Sequence, residues 1–320
     1  MQTRFTEQVG IAYPIIGGAM YPCSNPELVA AVSEAGGIGI IQPLSLVYVH
    51  KHQFRAGMKL MKSLTQKPLG MNIITEKSSK TYEARMREWL DIALEEGVRF
   101  FVTSLGNPRW VVEKVKSVGG IVYHDVTERK WADKALEADV DGLICVNNRA
   151  GGHAGQLSAA ALFESMQALN KPLICAGGIG DAQTFKDSMA LGYAGVQLGT
   201  RLIATRECNA HDDYKNAIIQ AHVSDIVLTD KISGVPVSII KTPYIEKIGT
   251  HANFIARFLL RHRRTKHLMR MFYTLQSLMK LKKASIEGSS YKDYWQAGKS
   301  VEGCKEILSV ADVIKQFTQT

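Results

Sequence analysis

Eight short apolar runs, each closed by Gly, Asn, Asp or Ser or by a turn, recur along the first two hundred residues and alternate with stretches of helical periodicity. The runs lie at 14–18, 38–41, 69–73, 100–104, 121–125, 142–147, 173–176 and 195–198. Amphipathic stretches fall at 26–35, 80–96, 108–118, 128–138, 158–169 and 182–191. Strands that are apolar on both faces belong in parallel sheets covered on both sides. Repeated strand-then-helix units therefore predict a parallel α/β fold. Eight units point to closure into a (β/α)8 TIM barrel, with an open doubly wound sheet as the alternative. Residues 201–320 break the alternation. Helical patterns at 206–222, 254–283 and 291–317 suggest a C-terminal helical extension folded over the barrel mouth. The expected organisation is a core at 1–200 and an extension at 201–320 that returns to the barrel as part of one catalytic unit.

The glycines at the last two strand ends carry the next inference. The seventh run opens into Ala176-Gly177-Gly178-Ile179-Gly180-Asp181 and the eighth into Gly199-Thr200-Arg201. In such barrels the loops after strands seven and eight form a common phosphate site. The chemistry needs bare backbone N–H groups aimed at phosphate oxygens, and glycine permits the close approach. Gly177, Gly178, Gly199 and Thr200 are the expected donors, with the Thr200 hydroxyl available as another.

His153 is the one histidine of nine in a glycine-rich loop at a strand end, Ala150-Gly151-Gly152-His153-Ala154-Gly155. An imidazole placed there is suited to moving a proton near neutral pH. The plainer reading is a ring that only fixes its own loop by hydrogen bonding. His124, after strand five, is expected to face the mouth and touch cofactor or substrate, and Arg149 is expected to bind an anionic group. His211 reads as a structural residue at a helix start.

These motifs have a family resemblance. AGGIGD with GVQLGTRLIATRECNAH (Gly195 to His211) is similar to the nitronate monooxygenase family, formerly the 2-nitropropane dioxygenases. So are TRFTEQVGIAYPIIGGAM, SEAGGIGII, KPLGMNI, RAGGHAG and WQAGKSVEG, so that the likeness covers nearly the whole chain apart from about 241–290. That family shares its barrel with FMN-dependent enoyl-acyl carrier protein reductases and NAD(P)H:quinone reductases. The resemblance implies FMN over the C-terminal mouth, with Gly18, Ala19 and Met20 near the ring and Asn72 bonded to its edge. Gly151 and Ala176 would line the same site, and Gly177, Gly178, Gly199 and Thr200 would hold the phosphate. It implies oxidation of an alkyl nitronate with O2 beside His153. The alternatives are NAD(P)H-dependent reduction of an enoyl thioester or quinone, and a binding protein that has lost its chemistry. Many relatives have an acidic residue shortly before the Gly-Gly-His, where this chain has Asn147-Asn148-Arg149.

Composition bounds the rest. The formal net charge is +9, and nine basic residues without an acid between them fall within 254–283. Apolar residues there recur every three or four positions, as a helix packing one stripe requires. The segment is expected to be a solvated lid, a docking face for an acidic partner such as acyl carrier protein, or a membrane-surface element. No nucleic-acid motif accompanies it. Five scattered cysteines without a CxxC pair argue against a disulfide framework and against structural zinc. With no signal-peptide pattern and no long apolar span, a cytoplasmic enzyme, alone or as a homodimer, is the expectation.

Overall fold

The computed structural model describes residues 1–76, 80–231, 236–251, 279–288 and 294–319. Eight parallel strands close into a barrel in sequential order. They are β1 (Ile15–Gly17), β2 (Ile38–Ile41), β3 (Leu69–Thr75), β4 (Phe100–Gly106), β5 (Ile121–Val126), β6 (Gly142–Val146), β7 (Leu173–Ala176) and β8 (Gly195–Leu198). The barrel expected from the eight runs is therefore present, and the open sheet is excluded by the pairing of β1 with β8, in which Ile16 meets Gln197.

Helices α1 (Arg4–Val9), α2 (Pro26–Glu34), α3 (Phe54–Leu64), α4 (Lys80–Glu95), α5 (Arg109–Lys116), α6 (Arg129–Leu136), α7 (Ala159–Met166) and α8 (Ala182–Ala190) accompany them. Side-chain caps set several starts. Thr3 caps α1, Ser158 caps α7, and Asp181 accepts the Thr184 N–H at 2.8 Å to open α8. Each such cap satisfies an N–H that the first turn leaves without a helical partner. Helix α3 has no counterpart among the helical stretches read from the sequence. It buries Phe54, Gly57, Met58 and Met61 on one face, with Phe54 stacked on Trp89 at 5.4 Å.

Strand parity divides the core in two. Ile16, Ile38, Ile40, Phe100, Val102, Tyr123, Ile144 and Ile174 fill the barrel interior. Phe5 of α1 plugs the lower end, its ring 5.8 Å from Phe100 and 5.6 Å from Tyr123. The alternate residues, among them Met71, Phe101, Val122, Leu143, Cys145 and Cys175, pack outward against the helices. All five cysteines are free and buried, in keeping with their reading as small core residues.

After β8 come α9 (Thr200–Ile203), α10 (Asp212–Gln220), strands β9 (Ile226–Thr229) and β10 (Val237–Ile240), α11 (Pro243–Ile248) and finally α12 (Val310–Thr318). The antiparallel pair β9 and β10 departs from the purely helical extension expected beyond residue 200. Helix α12 packs between α8 and α2, with Phe317 6.0 Å from Phe185. It fills the outer-layer place that follows β8, so the C-terminal region completes the barrel as well as covering it. Of the basic segment, 254–278 lies outside the described residues; the end of the expected helix, 279–283, is described and is helical. Among the described residues no helix is long and apolar enough to cross a membrane.

Candidate active site

The loops leaving β6, β7 and β8 converge at one side of the mouth, and the 295–300 segment lies across them. Gly177 and Gly178 have φ of 118° and 83°, a region that glycine enters without the cost a side chain would add. A Cβ on Gly177 would meet Asn147 Oδ1 at 2.5 Å and the Ala150 nitrogen at 2.6 Å. One on Gly178 would run into the Arg149 side chain at 2.6 Å. The glycines are thus required by loop-on-loop packing before any ligand is considered. Gly151 is in the same position, since a Cβ there would meet the Gly298 nitrogen at 2.9 Å and Thr200 Oγ1 at 3.4 Å.

Asn147, which stands near the place where relatives carry an acid, ties this corner together. It is fully buried. Its Nδ2 donates to the Gly177 carbonyl at 2.9 Å, and its Oδ1 accepts the Arg149 N–H at 2.8 Å. An amide does both jobs at once, whereas a carboxylate could only accept.

Four backbone N–H groups remain. Among the described residues, those of Gly177, Gly178, Gly199 and Thr200 donate to no protein acceptor. Thr200 Oγ1 accepts the Gly298 N–H at 3.0 Å, which leaves its own proton free to donate. Buried or half-buried N–H groups are ordinarily paired, so a cluster of unpaired ones fits an anion supplied from outside the chain. The α8 start plays no part, because Asp181 caps it and Thr184 Oγ1 accepts the Gly180 N–H at 3.1 Å. The site fits a phosphate ester.

Opposite, Met20 sits over Gly199, its sulfur 3.6 Å from where a Cβ on Gly199 would stand. The Met20 N–H donates to Ser24 Oγ at 2.8 Å. Gly18 donates its N–H to the Leu198 carbonyl at 2.9 Å, so it can offer a ligand proximity but no hydrogen bond from that group. Its missing side chain makes room for Gln197, whose Cγ is 3.0 Å from the would-be Cβ. Ala19 packs at the edge of the interior cluster. Ala176 faces the interior between Val146 and Gln197. Asn72 points inward from β3, its Nδ2 donating to the Val102 carbonyl at 3.1 Å, and its amide oxygen accepts nothing from the described residues.

His153 stands exposed at the rim. Its imidazole makes no hydrogen bond to the described residues, so the ring does not fix the loop. Asn147 does so through the Gly155 N–H at 3.2 Å, and β10 does so through the Ser238 N–H to the Gly152 carbonyl at 2.7 Å. The protein crowded around the mouth pushes the ring below the ordinary histidine pKa. Ser238 was missed in the sequence, since nothing local marks a residue that reaches its partner across 86 positions.

The expectation for His124 is corrected. Tyr123 faces the interior, and Val122 and Val126 pack outward. His124 shares their parity and turns away from the mouth toward the helices. Its Nδ1 lies 2.8 Å from Thr103 Oγ1, whose hydroxyl also reaches the Tyr123 carbonyl at 3.1 Å. Burial lowers its pKa to about 4. A histidine held neutral contributes stability that is complete above its unfolded pKa near 6.5 and is lost as pH falls from there toward 4. Between pH 7.5 and pH 5 the loss is about 2 kcal/mol, at 1.36 kcal/mol per pKa unit. Denaturant unfolding at those two pH values should show the wild type losing about 2 kcal/mol relative to His124→Gln, in which every other titrating group is unchanged. An equal change between the two pH values in both proteins would refute the assignment.

Arg149 is paired with Glu302 at 3.4 Å and lies over Gly178, at the edge of the phosphate corner. His211 caps α10, its Nδ1 accepting the Asp213 N–H at 3.2 Å, which matches its structural reading. Among the described residues no group of three or more His, Cys, Asp or Glu could hold a metal.

The chain is thus a (β/α)8 barrel whose C-terminal mouth presents four unpaired N–H groups after β7 and β8 and, after β6, a histidine with no hydrogen-bond partner among the described residues. A family model described as nitronate monooxygenase matches residues 2–320, and the chain belongs to that family. It is an oxidoreductase of a flavoenzyme family. A probable nitronate monooxygenase of Staphylococcus saprophyticus is 28% identical, covering 100% of this chain and 98% of its own length. A (3aS,4S,5R,7aS)-5-hydroxy-7a-methyl-1-oxo-octahydro-1H-indene-4-carboxyl-CoA dehydrogenase of Rhodococcus jostii is 28% identical over 254 residues, covering 79% of this chain and 69% of its own. Among solved structures, FabK from Thermotoga maritima aligns with a TM-score of 0.81 at 28% identity, over 100% of this chain and 96% of that one. A nitroalkane oxidase from Streptomyces ansochromogenes, at 20% identity and a TM-score of 0.76, shares the fold.

Proposed function

We propose that this chain is an FMN-dependent oxidoreductase that oxidises alkyl nitronates with O2. The observation that carries the reading is the set of four uncommitted N–H groups in the loops after β7 and β8, next to the β6 loop that carries His153. FMN ends in the phosphate monoester that such a cradle fits. Gly177, Gly178, Gly199 and Thr200 would hold that phosphate, Arg149 would add positive charge beside it, and the Asn72 amide oxygen would accept from the ring edge. When bound, FMN supplies the two-electron redox chemistry. The protein's own part is to orient both molecules, to keep water from the mouth and to handle a proton at His153. An imidazole below its usual pKa is neutral at pH 7 and ready to accept a proton from the substrate side. Residues 201–320 belong to the same catalytic unit, a view supported by the Gly152–Ser238 bridge and by Gly298 on Thr200.

A second reading has its own support. The Rhodococcus relative is named for a coenzyme A thioester, which favours a nicotinamide-linked enzyme acting on a thioester. In that reading an acyl carrier would meet the basic residues of 254–283. Anaerobic stopped-flow separates the two. Bleaching of the bound flavin by propyl-2-nitronate and not by NADH or NADPH is the expected result. Bleaching by nicotinamide alone would establish the second reading. Absence of flavin absorbance even after incubation with FMN would sink both.

A further inference from the structure

Asp125 is absent from every role assigned so far, yet it holds a central place in the mouth. It is the last interior-facing residue of β5, paired in register with Ile144, which lies inside the barrel. Its Oδ1 is shut off from solvent and has no hydrogen-bond partner among the described residues. Among the described residues, the strands packed around it offer no charge of either sign. On β3 and β4 the interior positions near the mouth are Asn72 and Ser104. On β6 they are Ile144 and Val146, and on β7 and β8 they are Ala176 and Gln197. Below it, Tyr123 directs its hydroxyl down to Gln8 at 2.7 Å, away from the carboxyl. His124 points outward and bonds Thr103. Burial without a cation disfavours the carboxylate and pushes Asp125 up to about 7.

A carboxyl in this setting costs the empty protein stability, which is the usual mark of a group kept for a ligand. We propose that Asp125 is a ligand-contacting residue of the barrel mouth, a protonated carboxylic acid that donates a hydrogen bond to an acceptor oxygen or nitrogen of the molecule bound there. The acceptor belongs either to the flavin edge or to the substrate, and the chemistry is the same in both. The inference rests on the reading of the mouth as a flavin and substrate site.

The sign of the pH effect follows from the raised pKa. The folded protein binds the proton more tightly than the unfolded chain, so stability falls as pH rises from the unfolded value near 4 through 7. Asp125→Asn keeps a neutral donor and cannot ionise. It should unfold at a higher temperature than wild type at pH 8, with the gap closing toward pH 4. FMN titrated into flavin-free protein should bind wild type at least about 10-fold more weakly at pH 8.5 than at pH 6, since loss of the donor proton replaces a hydrogen bond with a repelled charge. Asp125→Asn should bind with no such pH dependence, and Asp125→Leu should bind weakly at both. If FMN affinity is unmoved but KM for propyl-2-nitronate or NADH follows that pattern, the acceptor lies on the substrate. The proposal is overturned if Asp125→Asn is no more stable than wild type at pH 8, or if all three proteins bind FMN and substrate alike. Failure of every variant to bind FMN would bring down the cofactor reading, and the stability comparison would then decide Asp125 by itself.

Discussion

Replacing His153 by alanine is expected to lower turnover about 10²–10⁴-fold, the range usual for a positioned acid or base, while FMN remains bound. The structure makes this a clean substitution. The ring touches no hydrogen-bond partner among the described residues, and the loop that carries it is clamped from elsewhere. The Asn147 carbonyl accepts the Gly155 N–H, and Ser238 pairs with Gly152 on both sides of an isolated bridge. Removing the imidazole therefore deletes a proton carrier without releasing Gly151 from its seat against Gly298 and Thr200. Steady-state rates with propyl-2-nitronate, normalised to bound flavin, provide the check. The wild-type rate should also fall on the acid side, where protonation removes the base, and that limb should vanish in the variant. Unchanged turnover would retire His153 as a catalytic residue.

Gly177→Val is expected to abolish flavin binding at micromolar FMN, with affinity at least about 100-fold weaker. Two causes add. The backbone φ of 118° is one that a side chain rarely adopts, at a cost of about 1–3 kcal/mol. The new Cβ would also fall on Asn147 Oδ1 and the Ala150 nitrogen, so the β6 and β7 loops must separate. Separation removes N–H groups from the cradle, and hydrogen bonds to a charged group are worth about 1.5–3 kcal/mol each. Gly97→Ala provides the control. Its φ is also positive, at 88°, but open space surrounds it. That variant should lose a little stability and no flavin. Flavin retained at full occupancy in Gly177→Val would place the phosphate elsewhere.

Parts of the site were legible in the chain itself. The pairing of Gly177-Gly178 with Gly199-Thr200 needs only local glycine chemistry and the knowledge that both sit at strand ends. Among the described residues the N–H groups of all four make no bond to the chain, which leaves them available for the phosphate that the flavin titrations test. His153 was legible for the same reason, as an imidazole among small residues at a strand end. Gly18 and Gly151 were expected to let the flavin come close; in the fold their missing side chains make room for the chain's own Gln197 and Gly298. Position 124 was misjudged and position 125 overlooked by a single step of register. In a strand a shift of one residue exchanges the two faces, and a short run that is apolar throughout carries no alternation to reveal which face is inside. The signal was present in Tyr123, whose bulk suits the layer that Phe5 and Phe100 complete, but only the closed barrel brings those three rings together.

By itself the sequence determined the count and order of the barrel strands and the parallel class. Each follows from periodicity and backbone chemistry within a few residues. Only the tertiary structure decided that Asp125 rather than His124 looks into the mouth. It also decided that β10 steadies the His153 loop and that α12 takes the eighth helical place. Those outcomes depend on barrel closure and on pairings between segments tens to hundreds of residues apart, for which no local pattern carries the energy.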